Sequence, residues 1–503
     1  MKRVMVTVLL IAVLSMFFCS CQTENPIRSP NKGLMKRWEE NPPETPETPE
    51  TDMSYLEPEL LDGTTRNPIV THIFMADPTA RAFEGRIYLY TSHDRDNATT
   101  YNMNDYHVFS SDDLVNWQDH GIVLETRNFW ASSLYAPDCV YDEINKRYIL
   151  FFPNSGSNIG VVVSDTPYGP FEDPLGKPLI TPKYPGAEVE WCFDPGVLVD
   201  DDGHAYLYFG GGMPESGNNA RVIRLGEDMI SLKDDAATTI EAPDYFEAPF
   251  TFKKDGKYYY TYSTNWENGH EIRIDYMMSD DPMTGWEYKG VVINNPPDNH
   301  GNNNHHSIVE YEGDWYVFYH SRNLAISQGN MDVHQRSVNI ERMFFTDNGE
   351  IIRAEFTKGD IEQLRNVNAY GRIEAEFMAA ESGVETSDIY DGEVKTGVAL
   401  TDLHDGNWSA VSQVDFGDGV ESFTVSVSSE REGGKIELWI DGGNDNGGTL
   451  IGTCDVPNTG VLKNFQEITC DTEPVSGVHN LYLVYRGPLH YKTLFMLDYY
   501  FFK

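Results

Sequence analysis

The chain has 503 residues, with 37 Lys plus Arg against 79 Asp plus Glu and a formal charge of −42. A surface this acidic repels phosphate backbones, which argues against nucleic acid as a partner. The length suits about three domains, or two if one is a large all-β unit. With 29 Tyr, 25 Phe, 9 Trp and 42 Gly, aromatic strands joined by glycine-marked turns are favoured.

The first segment reads as a targeting signal: basic Met1-Lys2-Arg3, an apolar run of 15 residues from Val4 to Phe18, then Cys19-Ser20-Cys21. The run is shorter than the roughly 20 residues that span a bilayer. Ser20 before Cys21 resembles a bacterial lipoprotein cleavage site. Residues 1–21 are therefore expected to be a lipoprotein-type signal peptide with Cys21 lipidated, and ordinary secretion is the alternative. The expected location is exported: cell-surface or outer-membrane-attached through that lipid, otherwise periplasmic or secreted. Residues 22–53 contain NPPETPETPETD, from Asn41 to Asp52, a Pro/Glu/Thr repeat that buries almost nothing and predicts an extended linker. Among the later cysteines, Cys139 and Cys192 stand alone, while Cys454 and Cys470 either bridge neighbouring strands or remain two buried thiols.

Five hairpins of one kind follow: FEGRIYLYTS from Phe83, NKRYILFFP from Asn145, DDGHAYLYFGG from Asp201, KDGKYYYTYS from Lys254 and EGDWYVFYHSR from Glu312. Each is a turn leading into an alternating aromatic strand. A short polar motif precedes every one, at positions 77, 138, 194, 247 and 305, with spacings of 61, 56, 53 and 58 residues. Self-similarity at this period, with no amphipathic helix between the copies, predicts a five-bladed β-propeller over residues 54–366. The start of each innermost strand would then lie near one axis, which brings together Asp77, Asp138, Asp194, Glu247 and His305. Two carboxyl groups flanking a glycosidic bond are what inverting hydrolysis needs, and a third nearby raises the pKa of the acid.

IFMADPTA around Asp77, WCFDPGVLVDDDG around Asp194 and FEAPFTFKKDGKYYY around Glu247 closely resemble the three catalytic blocks of glycoside hydrolase family 43. The resemblance runs from about Asn67 to Phe356 and includes NDYHVFSSDDLVNWQDHG and YAPDCVYD. It implies Asp77 as general base, Asp194 as pKa modulator and Glu247 as general acid, with no organic cofactor. GNNNHHSIVEYEGDWYVFYH looks most like the arabinoxylan arabinofuranohydrolase branch, which removes arabinofuranosyl side groups from xylan. An exo-β-xylosidase and a non-catalytic glycan-binding propeller are the alternatives. Asp138, Asn303, Asn304 and His306 are expected to meet substrate. His305 resembles the histidine that sits near calcium or water in these propellers, and either a metal contact or a hydrogen bond in the channel suits it.

Residues 370–503 read as a β-sandwich (jelly-roll-like) module, with short strands between Gly, Asp and Asn turns. RIEAEFMAAESGV, GNWSAVSQVDFG, KIELWIDG and LDYYFFK resemble the family 6 carbohydrate-binding module. That resemblance implies Glu374, Glu376 and Asp498 as ligands of a structural calcium. It also marks a departure: Leu462 stands where the family has a sugar-stacking Trp, and Met496 where it has an Asn. The usual sugar cleft is thereby expected to be weakened.

Overall fold

The computed structural model describes residues 61–503 apart from 128, 266–271, 300–302, 331 and 444–445. The signal segment, Cys21 and the Pro/Glu/Thr linker lie outside the described residues. The described chain is all-β, a five-bladed propeller followed by a β-sandwich.

Each blade is an antiparallel sheet whose first strand is innermost. These first strands are Met75–Phe83, Asp138–Asp142, Gly196–Val199, Tyr245–Lys254 and His306–Tyr311. Each packs against the next, and the fifth returns to the first, which closes the ring. The hairpins anticipated from the sequence join the first and second strands. Asp255–Gly256 and Glu312–Gly313 each place both turn residues at positive φ, the conformation that matches the twist of the strands they join.

The pleat explains why these strands are apolar on both faces. In Arg86–His93, Ile87 and Leu89 face blade 5 while Tyr88 and Tyr90 face blade 2. In Arg147–Pro153, Ile149 and Phe151 face blade 3, and Tyr148, Leu150 and Phe152 face blade 1. Two further clusters fill the gaps between blades 3 and 4 and between blades 4 and 5. The propeller thus has five inter-blade cores in place of one central core, and its axis is left to polar side chains.

The ring is also pinned near its start. Thr64–Arg66 pairs with Gly359–Glu362, and the Asn67 side chain donates to the Ile340 carbonyl at 3.1 Å and accepts from its N–H at 2.9 Å. The module has its own core, from Ala369 to Phe502. One face is built on Trp408–Asp415, Val478–Arg486 and Gly434–Ile440, the other on Val420–Ser428, Met496–Phe502 and Val394–Thr401. Cys454 and Cys470 form a disulfide between Thr449–Val456 and Gln466–Val475. Cys139 and Cys192 are buried free thiols.

Module and propeller share a seam along blade 1. Phe377–Met378 of the module pairs with Trp117–Glu125 and becomes a fifth strand of that blade. Asn116 and Ser412 exchange two hydrogen bonds, and Lys395 Nζ donates to the carbonyls of His120 and Ile122. Asp119 accepts from Thr386 Oγ1 at 2.7 Å.

Candidate active site

Three carboxylates meet at one end of the propeller axis. Asp77, Asp194, Glu247, Asn303, His305 and Arg336 line a narrow cavity whose other walls include Tyr101, Tyr135 and Phe193. Backbone irregularity aims them there. Asp77 and Asp194 have φ of 52° and 50°, and Ala248, next to Glu247, has φ of 58°. Non-glycine residues rarely adopt this region, and they do so where the surroundings impose it. The ladder register also shifts between Ala76 and Thr79 and on both sides of Glu247. Bulges at strand starts turn a side chain out of the sheet face and toward the axis.

The carboxyls differ in charge because their partners differ. Burial would raise the Asp77 carboxyl, but Arg336, His305 and His320 outweigh it, with help from the Ser92 hydroxyl, and hold its pKa at about 2. Arg336 Nη1 lies 2.8 Å from Asp77 Oδ1, and Ser92 Oγ donates to Oδ2 at 2.8 Å. Glu247 moves the other way: burial and the nearby Asp77 charge push it up to about 8, against the Asn303 hydrogen bond and Arg336. Asn303 Nδ2 donates to Glu247 Oε1 at 2.9 Å, and Glu247 Oε2 is buried with no hydrogen-bond partner. Asp194 is also raised, by burial first and then by the charges of Glu247 and Asp77, against the Ala248 N–H that it accepts at 3.2 Å. Glu247 and Asp194 therefore titrate as a pair, whose first proton is held far above the usual carboxylate range.

Two residues that sequence reasoning missed complete the cluster. Arg336 is 1% exposed and forks onto Asp94, with Nε to Oδ2 at 2.8 Å and Nη2 to Oδ1 at 2.9 Å. Its remaining nitrogen reaches Asp77, and its guanidinium lies over the Tyr101 ring. A signal existed in QRSVNIERMFF: an arginine directly before an apolar strand needs a buried anion. His320 Nδ1 accepts the Asp77 N–H at 3.1 Å, so the other nitrogen carries the proton and donates to the Asn303 carbonyl at 3.0 Å. That imidazole is neutral, with burial first and Arg336 next lowering its pKa to about 3.

The other expected site residues divide. Asn303 and His305 line the cavity, and His305 Nδ1 lies 3.7 Å from Asp77 Oδ1 and 3.8 Å from Asp194 Oδ2. Burial lowers its pKa to about 4, so its imidazole is neutral. Asp138, Asn304 and His306 do not line this cavity. Asp138 is fully buried and spent on structure: its oxygens take Arg81 Nε at 2.9 Å, Arg81 Nη2 at 2.6 Å and the Val197 N–H at 2.6 Å, linking blades 1, 2 and 3. Asn304 turns back to the Asn294 carbonyl, and His306 Nε2 meets Thr261 Oγ1 at 2.6 Å in blade 4.

In the module, Glu376 is buried and raised well above the usual range, by burial first and the Glu374 charge next. Its Oε2 has no hydrogen-bond partner, which suits a cation-binding oxygen. Asp498, on the last strand, accepts from Ser426, while Glu374 is held by the Arg372 fork at 2.6 and 2.9 Å. Glu376 thus fits an oxygen-seeking ion, while Arg372 is a cationic partner of both Glu374, at 2.6 Å, and Asp498, at 3.6 Å.

Residues 65–351 match the family described as Glycosyl hydrolases family 43, and residues 374–503 match Carbohydrate binding module (family 6). An arabinoxylan arabinofuranohydrolase of Paenibacillus polymyxa is 38% identical over 460 residues, covering 84% of this chain and 72% of its own. The crystal structure of a family 43 arabinoxylan arabinofuranohydrolase from Bacillus subtilis, in complex with cellotetraose, is 36% identical. It has a TM-score of 0.82 and covers 87% of this chain and 97% of its own. An α-L-arabinofuranosidase structure from Clostridium thermocellum is 48% identical with a TM-score of 0.51, covering 59% of this chain and 98% of its own. Sequence, fold and the carboxylate cluster agree, and the chain belongs to glycoside hydrolase family 43, with a family 6 carbohydrate-binding module after its propeller.

Proposed function

We propose that this glycoside hydrolase removes α-L-arabinofuranosyl branches from arabinoxylan with inversion. The observation that carries the reading is the split protonation of two carboxyls in one cavity: Asp77 held at about 2 and Glu247 pushed up to about 8. At neutral pH the first is a base and the second an acid. Ionised Asp77 takes a proton from water as the water oxygen attacks the anomeric carbon. Glu247 delivers its proton to the glycosidic oxygen as the C–O bond breaks, and the arabinose leaves with inverted configuration. Asp194 is raised together with Glu247, so the pair keeps a proton at neutral pH that Glu247 can deliver.

The substrate class is supported by the arabinoxylan arabinofuranohydrolase relatives, which match across propeller and module alike. Incubation with arabinoxylan, arabinan and xylo-oligosaccharides, with sugars identified and the first anomer read by NMR, tests it. Arabinose released from arabinoxylan in the inverted form is expected. Release of xylose alone makes the enzyme a xylosidase, and retained configuration refutes the roles of Asp77 and Glu247.

Calcium would be held in the module by Glu376, with Glu374 and Asp498 joining once Arg372 lets go. There it would supply only structure, tying the first and last strands together. The apolar segment, Ser20-Cys21 and the Pro/Glu/Thr linker support an exported enzyme tethered through lipid on Cys21. Cys21→Ser should move activity from the membrane fraction to the soluble one, and unchanged partitioning favours ordinary secretion.

A further inference from the structure

Blade 1 carries a second cluster of chemistry-bearing side chains, on the seam side and separate from the carboxylate cavity. Strand Arg86–His93 pairs antiparallel with Asp105–Ser111, with Ser92 opposite Tyr106, so His93 comes level with Asp105. Asp105 and His107 are two residues apart on one strand and share a face. The donor atoms of His93, Asp105 and His107 all lie within 4.8 Å of one another.

The surroundings prepare this trio as ligands. His107 Nδ1 is 3.1 Å from Asp119 Oδ1, which leaves Nε2 as its free donor. Asp119 is itself fixed, because His72 Nε2 reaches its other oxygen at 3.1 Å and Thr386 Oγ1 at 2.7 Å. A carboxylate behind an imidazole is the arrangement that orients metal-bound histidines and strengthens them as donors. His93 Nδ1 lies 2.5 Å from Asp105 Oδ1, and Asp94 and Asp96 add negative charge around it. The competing cation is Arg95, 3.5 Å from Asp105 Oδ2, whose side chain is 48% exposed and free to swing into water. His107 also borders a cavity of about 550 Å³ with Thr386, Asp388 and Met496, which gives an ion a way in.

We propose that His93, Asp105 and His107 form a binding site for a transition metal of the zinc class, placed where blade 1 meets the module. Two imidazoles and one carboxylate select borderline metals over calcium or magnesium, which prefer oxygen. Tetrahedral zinc, at about 2.0–2.1 Å from nitrogen and oxygen, needs donors about 3.3 Å apart. Partly exposed His93 is the side chain that turns to close that gap. A His93–Asp105 ion pair and a His107–Asp119 pair account for the contacts two by two, but not for the convergence of all three ligand side chains within 4.8 Å. Because Asp119 also receives Thr386, metal on His107 tightens the attachment of the module.

The test uses the full chain, stripped with chelator and titrated with Zn²⁺ by calorimetry, with metal content measured after desalting. A Co²⁺ titration read by visible absorption reports the coordination geometry. One equivalent of zinc is expected, undisplaced by excess calcium and accompanied by a rise in Tm. His93→Gln and Asp105→Asn, each confirmed folded by circular dichroism, should weaken zinc binding about 10–100-fold and abolish the tetrahedral cobalt bands. No retained zinc in the wild type, or equal zinc retention by both variants, overturns the proposal.

Discussion

The propeller mouth and the module's cleft are both places where a sugar would be expected, and they have been treated in opposite ways. At the mouth every reactive group is present and its charge is set by buried partners, with Arg336 on Asp77 and Asn303 on Glu247. In the module, Leu462 and Met496 line a cavity whose far wall is His107, Gly121 and Ile122 of blade 1. The module surface expected from resemblance to meet sugar thus faces the catalytic domain across the seam. Chemistry constrains a site atom by atom, because a missing acid or base costs orders of magnitude. An accessory cleft gives up contacts one at a time, and its apolar replacements suit a domain contact.

The largest expected effect breaks the mouth itself. Glu247→Gln and Asp77→Asn should each lower kcat on arabinoxylan by about 10²–10⁴-fold while the circular dichroism spectrum is unchanged. For Glu247→Gln, aryl arabinosides with very good leaving groups should lose much less, since they need little protonation. Near-normal activity of either variant on unactivated glycan would assign the chemistry elsewhere.

Next comes Arg336, which serves both charge-setting tasks. It lowers Asp77 and Glu247 alike, so Arg336→Lys, which loses the fork, should raise both. The base then stays ionised only at higher pH and the acid stays protonated to higher pH. The whole bell of kcat/KM against pH should slide upward, the acid limb more than the alkaline one. Arg336→Met should go further and cost about 3–5 kcal/mol of stability, because Asp77 and Asp94 are left buried without a cation. A profile that keeps its limbs would show that Arg336 only supports the fold.

These two predictions mark what could be read from the sequence and what could not. The recurring hairpins and their preceding motifs made the blades legible, because a repeat reports geometry directly. The same recurrence says less at Asp138. It correctly put the residue at the start of an innermost strand, but what an acidic side chain does there depends on whether a cation reaches it first, and Arg81 does. Arg336 and Asp94 are separated by 242 positions and meet only through ring closure, so neither neighbourhood announces the other. Phe377–Met378 reads as module strand, yet it completes blade 1, since an edge strand accepts any partner within reach.

Asn303 sharpens the comparison within the mouth. Its hydrogen bond lowers the pKa of Glu247, so Asn303→Ala should raise it and move the alkaline limb up by about 0.5–1 pH unit, with the acid limb fixed. Because Glu247 and Asp194 share their titration, the limb reports the pair, and Asp194→Asn in the same background should narrow the shift. Movement of the acid limb instead would mean that Asn303 acts on Asp77 through the weak 3.5 Å contact with Arg336.

The smallest effect belongs to the cleft, and its smallness is the point. An indole stacks on a sugar through a broad planar face, and Leu462 offers a smaller, non-planar one. Met496 has neither the amide donors nor the carbonyl acceptor that an Asn presents to hydroxyls. Trimming them should therefore cost little affinity for xylan, because little affinity resides there. In the Glu247→Gln background, which binds without turning over, Leu462→Ala and Met496→Ala should each change xylan affinity by less than about twofold, against the tenfold that 1.4 kcal/mol brings. Met496 is 8% exposed and lines the seam cavity, outside the module core, so its loss should instead appear as a modest fall in Tm. Affinity electrophoresis on arabinoxylan beside thermal denaturation separates the two. A collapse of xylan affinity with Tm unchanged would mean that the cleft binds glycan in spite of its apolar lining, and that mouth and module both work on the sugar.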